Sequence, residues 1–149
     1  MIINEAGVGD AAALTQLALA SKRYWGYDQA FMERCASELT VRESDLENAH
    51  AFVARDGDRV LGFYVLKSLD AENVELDMLF VEPRIIGDGV GGALMRHALD
   101  VARADAALTL QITSDPNAAP FYEHFGARLV GSSISSSTGR ALPVYELSL

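Results

Sequence analysis

The spacing of apolar positions changes twice along the chain. Ala11, Leu14, Leu17 and Ala18 fall three and four residues apart, predicting an amphipathic helix over 10–21. Asp10 stands where an N-cap belongs. Residues 2–6 in front of it read as a short strand, Lys22 to Tyr27 with Gly26 as an aromatic loop, and Asp28 to Leu39 as helix again. The period then shortens to two. Ala51–Arg55 and Arg59–Leu66 flank Asp56-Gly57-Asp58, a hairpin signal, and Val74–Val81 is a further strand, closed by Pro83. Beyond a glycine cluster the longer period returns through about Ala104. There Val90, Leu94, Ala98 and Val101 form an apolar stripe, and Arg96, His97, Asp100 and Arg103 the wet face. Leu108–Ile112 reads as a strand, Asp115-Pro116 as the start of a short helix, and Leu129–Ser133 and Pro143–Leu149 as closing strands around the polar loop Ser135–Gly139. Hairpins followed by one strand-helix-strand unit predict an α/β (α+β) fold, a mixed sheet with helices on both faces. No linker or repeat divides the chain, so residues 1–149 are expected to form a single domain.

Composition narrows the classes. No stretch approaches the roughly 20 apolar residues of a membrane span. Met1-Ile2-Ile3-Asn4-Glu5 lacks the basic and apolar regions of a signal peptide, so a cytoplasmic setting and no membrane partner are expected. One cysteine, Cys35, makes no internal disulfide and reads as a core residue. A formal net charge of -9 repels phosphate backbones, which argues against nucleic acid and mildly favours cationic small molecules. His50, His97 and His124 have no metal-like spacing, so no metal is expected.

The segment Val81 to Leu94 carries the chemistry. Gly87, Gly89, Gly91 and Gly92 lie between a strand and a helix, where glycine admits positive φ and close approach of another molecule. The first turn of the following helix offers unpaired N–H groups at its positive end, a ready site for a diphosphate. A glycine-rich turn with no ligand is the plainer alternative. No P-loop follows. Gly87, Gly89 and Gly92 also spell G-x-G-x-x-G, but the pattern follows hairpins and only one more strand-helix step remains, too little for a dinucleotide domain.

At these residues the chain resembles the GNAT superfamily of acyl-CoA-dependent N-acetyltransferases. Their signature is a strand ending Val-x-Pro, then Gln/Arg-x-x-Gly-x-Gly/Ala opening a helix. Val81, Pro83, Gly89 and Gly91 match, whereas Ile86 occupies the Gln/Arg position. Asp115 to Ala127, with Phe121-Tyr122 and Gly126-Ala127, is similar to the family's later segment. The resemblance implies a mostly antiparallel GNAT sheet and acetyl-CoA (coenzyme A) lying in a V-shaped gap between two parallel strands. It implies that the backbone at Leu79, Phe80 and Val81 pairs with the pantetheine and that amides of Gly87, Asp88, Gly89, Val90, Gly91 and Gly92 hold the diphosphate. It also assigns Asn117 to the pantetheine, although the family's usual Asn place, seven residues before Tyr122, is held by Asp115.

Acetyl transfer requires an amine that loses a proton and a thiolate that gains one. The resemblance gives Tyr122 the second role; a core tyrosine against Phe121 is the alternative. Glu75 lies eleven residues before Ile86, where some members place a catalytic glutamate. In a regular strand Glu75 and Asp77 share one face, opposite Val74, Leu76, Met78 and Phe80. Glu75 is therefore the candidate base and Asp77 the weaker choice; a solvated acidic face is the alternative. Tyr24, Trp25 and Tyr27 are candidates for the substrate site, or for packing that loop onto the sheet. The expected activity is transfer of acetyl to a primary amine on a small molecule or peptide. An acyl-CoA-binding sensor without catalysis is the rival that Ile86 keeps open. Homodimerisation is a family habit.

Overall fold

The computed structural model describes all residues, 1–149. Seven strands form one sheet: β1 (Ile2–Glu5), β2 (His50–Asp56), β3 (Arg59–Ser68), β4 (Asn73–Val81), β5 (Thr109–Thr113), β6 (Arg128–Ile134) and β7 (Ala141–Ser148). Their order is β1-β2-β3-β4-β5-β7-β6, and every neighbouring pair is antiparallel except β4 and β5. The helices are α1 (Ala11–Arg23), α2 (Gln29–Cys35), α3 (Glu43–Asn48), α4 (Val90–Ala104) and α5 (Ala119–His124). None is long and apolar enough to cross a membrane.

Residues 61–66 of β3 are buried on both faces, so the strand reads as a continuous apolar run. Phe63 and Val65 join Leu14, Leu17, Phe31 and Met32 in a core under α1 and α2. Tyr64 and Leu66 join Leu94, Met95, Ala98, Leu110 and Ile112 in a second core under α4. The expected two-faced sheet is therefore present.

Local readings changed in four places. Asp10 does not cap α1; its carboxylate accepts from the Gly7 amide at 2.8 Å and pairs with Arg55 at 2.8 Å. The helix expected over 28–39 is α2 capped by Asp28, then a tighter 3-10 turn over Ala36–Leu39. Its neighbour α3, six residues with no buried side chain, has no apolar stripe to betray it. His97 leaves the wet face: its Nδ1 lies 2.7 Å from the Tyr64 hydroxyl and its ring packs on Phe52.

A further change, in strand register, sets up the site. Val65 of β3 pairs with Met78, but Leu66 pairs with Leu76, so Asp77 is the extra residue of a β-bulge. The bulge shifts the alternation by one. Val74 and Leu76 face the α4 core, whereas Met78 and Phe80 face the α1–α2 core, contrary to the single apolar face expected for all four.

Gly62 on β3 lets α4 pass close to the sheet. A Cβ there would lie 2.8 Å from the Phe80 carbonyl oxygen and 2.9 Å from Leu94 Cδ1. We expect Gly62→Ala to cost about 1–3 kcal/mol, by overpacking, read as a lower denaturation midpoint at unchanged slope.

Candidate active site

The one parallel pairing is short. Asn73, Val74 and Glu75 of β4 pair with Thr109, Leu110 and Gln111 of β5, and the strands then diverge at the bulge. A gap of about 740 Å³ opens between them, lined by residues 76–81 on one side and Thr113, Ser114 and Asp115 on the other. Along the β4 wall the Glu82 amide donates to the Leu61 carbonyl at 2.8 Å, which makes Leu61 and Glu82 a hydrogen-bonded pair. By antiparallel alternation Phe80 also turns its N–H and C=O toward β3, whereas Leu79 and Val81 turn theirs into the gap. Of the three expected backbone partners, Phe80 thus contributes only wall.

At the end of β4 the chain turns through Gly87 (φ 96°) and Gly89 (φ 90°) into α4. Both angles lie in the left-handed region that side chains avoid. The Ala93 amide is the first to join the helical ladder, donating to Gly89 at 3.0 Å. The amides of Gly87, Gly89, Val90, Gly91 and Gly92 have no acceptor in the protein, and they gather at the positive end of a fifteen-residue helix. Asp88 does not share this state, because its amide donates to the Ile85 carbonyl at 3.1 Å. Val90 offers its amide while its side chain is buried in the core. Gly91 faces Phe121, whose Cε1 would be 3.4 Å from an added Cβ. Ile86, at the family's Gln/Arg position, is exposed at the rim.

Tyr122 is buried, lines the gap and makes no hydrogen bond through its hydroxyl to the protein. Burial, and secondly the charge of Asp115, push its pKa up, so it stays protonated. Asp115 is the hub of the far wall. Its Oδ1 accepts from the Asn117 amide at 2.8 Å, the expected cap, and its Oδ2 takes Lys22, Tyr27 at 2.8 Å and Arg140 at 3.3 Å. Burial would raise its pKa, but hydrogen bonds from Lys22 and the Asn117 amide and the Lys22 charge outweigh it and hold the carboxyl at about 2. Arg140 Nη1 also donates to Tyr27 Oη at 2.7 Å, and its guanidinium stacks over Tyr27 and Phe31. Asn117 donates to Tyr27 and Asp115 from the gap wall.

The expected aromatic trio divides. Trp25 lines the gap; Tyr24 packs edge-on against Trp25 and stays exposed; Tyr27 stacks on Phe31 and serves the Asp115 cluster. The two candidate carboxylates divide as well. Asp77 lines the gap and pairs with Lys67 at 3.2 Å, whereas Glu75 is not among the lining residues. Burial first, then the charge of Asp77 and a hydrogen bond to it, raise the Glu75 pKa against the opposing Lys67. Lys22, Glu38 and Arg140 also belong to the site's surroundings. Their partners lie 93, 97 and 25 residues away in sequence, and no local pattern pointed to them.

A second hollow of about 500 Å³ lies at the other end of the sheet, around His50, Phe52, Lys67 and Ala102. No glycine lines it.

Comparison with known proteins identifies the family and the fold. A family model described as an acetyltransferase (GNAT) domain matches residues 9–146. The peptidyl-lysine N-acetyltransferase YjaB of Salmonella typhimurium is 32% identical over 114 residues, 74% of this chain and 73% of that protein. A GCN5-related N-acetyltransferase from Rhodopseudomonas palustris shares the fold with a TM-score of 0.84 at 24% identity, over 99% of this chain and 95% of the other. The PaiA N-acetyltransferase of Thermoplasma acidophilum, solved in complex with coenzyme A, gives 0.78 at 17%, over 99% and 98%. The chain belongs to the GNAT acetyltransferase family.

The Asp115 cluster makes a stability prediction. Its folded pKa lies below the ordinary 3.8, so its contribution is present above about pH 4 and is lost as pH falls toward 2. That contribution is about 2 kcal/mol. Asp115→Asn should remove it, leaving Lys22 and Arg140 without their anion, and should flatten the acid limb of stability measured by urea unfolding between pH 5 and 2.

Proposed function

We propose that the chain transfers the acetyl group of acetyl-CoA to a primary amine by direct attack. The observation that carries this is the set of acceptor-free amides at Gly87, Gly89, Val90, Gly91 and Gly92, beside the unspent strand groups of Leu79 and Val81. The residues present fit coenzyme A: the amides suit a diphosphate, and the open β4 edge suits the amide groups of a pantetheine arm. The family supports acetyl transfer, and relatives named as peptidyl-lysine N-acetyltransferases support a lysine-like amine.

Bound acetyl-CoA supplies a thioester, whose carbonyl carbon takes the amine lone pair and whose sulfur leaves. Amides facing the gap at Leu79 or Val81 donate to the carbonyl oxygen as charge grows on it. Tyr122, kept protonated and free of protein partners, donates its proton to the departing sulfur. Asp77, facing the gap at the bulge, receives the proton lost by the amine, directly or through water. Glu75, two residues earlier on β4 and with its pKa raised first by burial and then by the Asp77 charge, acts as a positioning group for Asp77. This reverses the order of preference that spacing alone gives the two carboxylates.

Calorimetry with acetyl-CoA tests the binding half; no detectable heat at millimolar ligand overturns it. For the chemistry, free-thiol release is the measurement. Tyr122→Phe should lower kcat by about 10²-fold or more with little change in acetyl-CoA affinity, and unchanged turnover would remove the tyrosine from catalysis. Asp77→Asn should lower kcat more than Glu75→Gln; the opposite ranking would make Glu75 the base.

A further inference from the structure

The carboxylates lining the gap are unequally matched. Asp115 holds Lys22 and Arg140, and Asp77 holds Lys67. Glu38, on the 3-10 turn after α2, lines the same gap but has no basic partner. Its Oε1 accepts from Ser135 at 3.2 Å and Ser137 at 2.5 Å, hydroxyls of the β6–β7 loop. No protein group bonds its Oε2. A carboxylate oriented by two hydroxyls, with one oxygen free, is a receptor for a cation or N–H donor.

The surroundings agree. Trp25, Leu39 and the backbone and hydroxyls around Ser133, Ser135 and Ser136 line the same gap. An aromatic ring and a carboxylate lining one gap suit an ammonium or guanidinium. A net charge of -9 draws such an acceptor in. Asp77 already has Lys67 beside it, so the free negative charge lies at Glu38, apart from the carboxylate that takes the amine's proton.

We propose that Glu38 is a specificity residue that selects acceptors carrying a second positive charge besides the amine acetylated. The shared chemistry is a second ammonium or guanidinium, from a diamine or from a basic residue next to a lysine. This rests on the reading of the gap as an amine-acetylating site and adds to it the charge pattern of the acceptor.

The first measurement is calorimetry on protein saturated with coenzyme A, comparing 1,4-diaminobutane with butylamine, so that it reads binding without turnover. The diamine should bind about tenfold tighter, and Glu38→Gln should bring the two within about twofold. Gln keeps an oxygen for Ser135 and Ser137, so the loop tether survives the substitution. Equal binding in the wild type, or a preference that persists in Glu38→Gln, overturns the proposal. Thiol release with two lysine peptides, one flanked by arginine and one by norleucine, then separates the sources. A KM preference for the arginine peptide that exceeds the diamine preference marks the peptide as the source; the reverse marks the small diamine. Absence of turnover with every amine, alongside an intact diamine preference, would count against acetyl transfer while upholding the charge selection.

Discussion

Backbone N–H and C=O groups along a buried strand must find partners, and in β4 the supply of partners ends abruptly. Up to Glu75 the strand is hydrogen-bonded on both edges; beyond it β5 has moved away, and only β3 remains. The Asp77 bulge marks the change, bending β4 out of register where the parallel pairing stops. Leu79 and Val81 are left with main-chain groups facing an open gap. A few residues later the Gly87–Gly92 turn repeats the situation with amides alone. The most direct physical account of so much unspent hydrogen-bonding capacity in one place is a ligand with its own amides and a diphosphate.

Charge is arranged around that gap with the same economy. An acidic protein gathers Lys22 and Arg140 onto the single carboxylate of Asp115, in a cluster that also ties α1, Tyr27 and the β6–β7 loop to the end of β5. Burial raises the Tyr122 pKa, and the Asp115 charge adds to it. Of the carboxylates facing the gap, Asp77 is matched by Lys67 and Glu38 has no basic partner. Lys67 steadies Asp77 from behind, shared with Asp45 of α3.

The parts of this fold that were legible in the sequence are those set by local period. The β2–β3 hairpin around Gly57, the apolar stripe of α4 and the glycine turn all follow from residues close together in the chain. The glycine positions foretold the free amides, although Asp88, indistinguishable from its neighbours in sequence, spends its amide on Ile85. The bulge was not legible, because Val74, Leu76, Met78 and Phe80 alternate perfectly and nothing local reports that β3 skips Asp77. The expectation of a single apolar face failed for that reason. α3 escaped because a surface helix of six residues has too few turns to show a period. The Lys22–Asp115–Arg140 cluster and the Glu38–serine contacts join residues far apart in the chain, and such pairings exist only once the sheet has brought them together.

If the acceptor-free amides of the glycine turn hold a diphosphate, backbone nuclear magnetic resonance reads that contact amide by amide. Titration with coenzyme A is predicted to shift the amide resonances of Gly87, Gly89, Val90, Gly91 and Gly92 most strongly, with slowed hydrogen exchange at the same positions. Shifts that leave this turn untouched and appear elsewhere, for instance around His50 and Lys67, would contradict it.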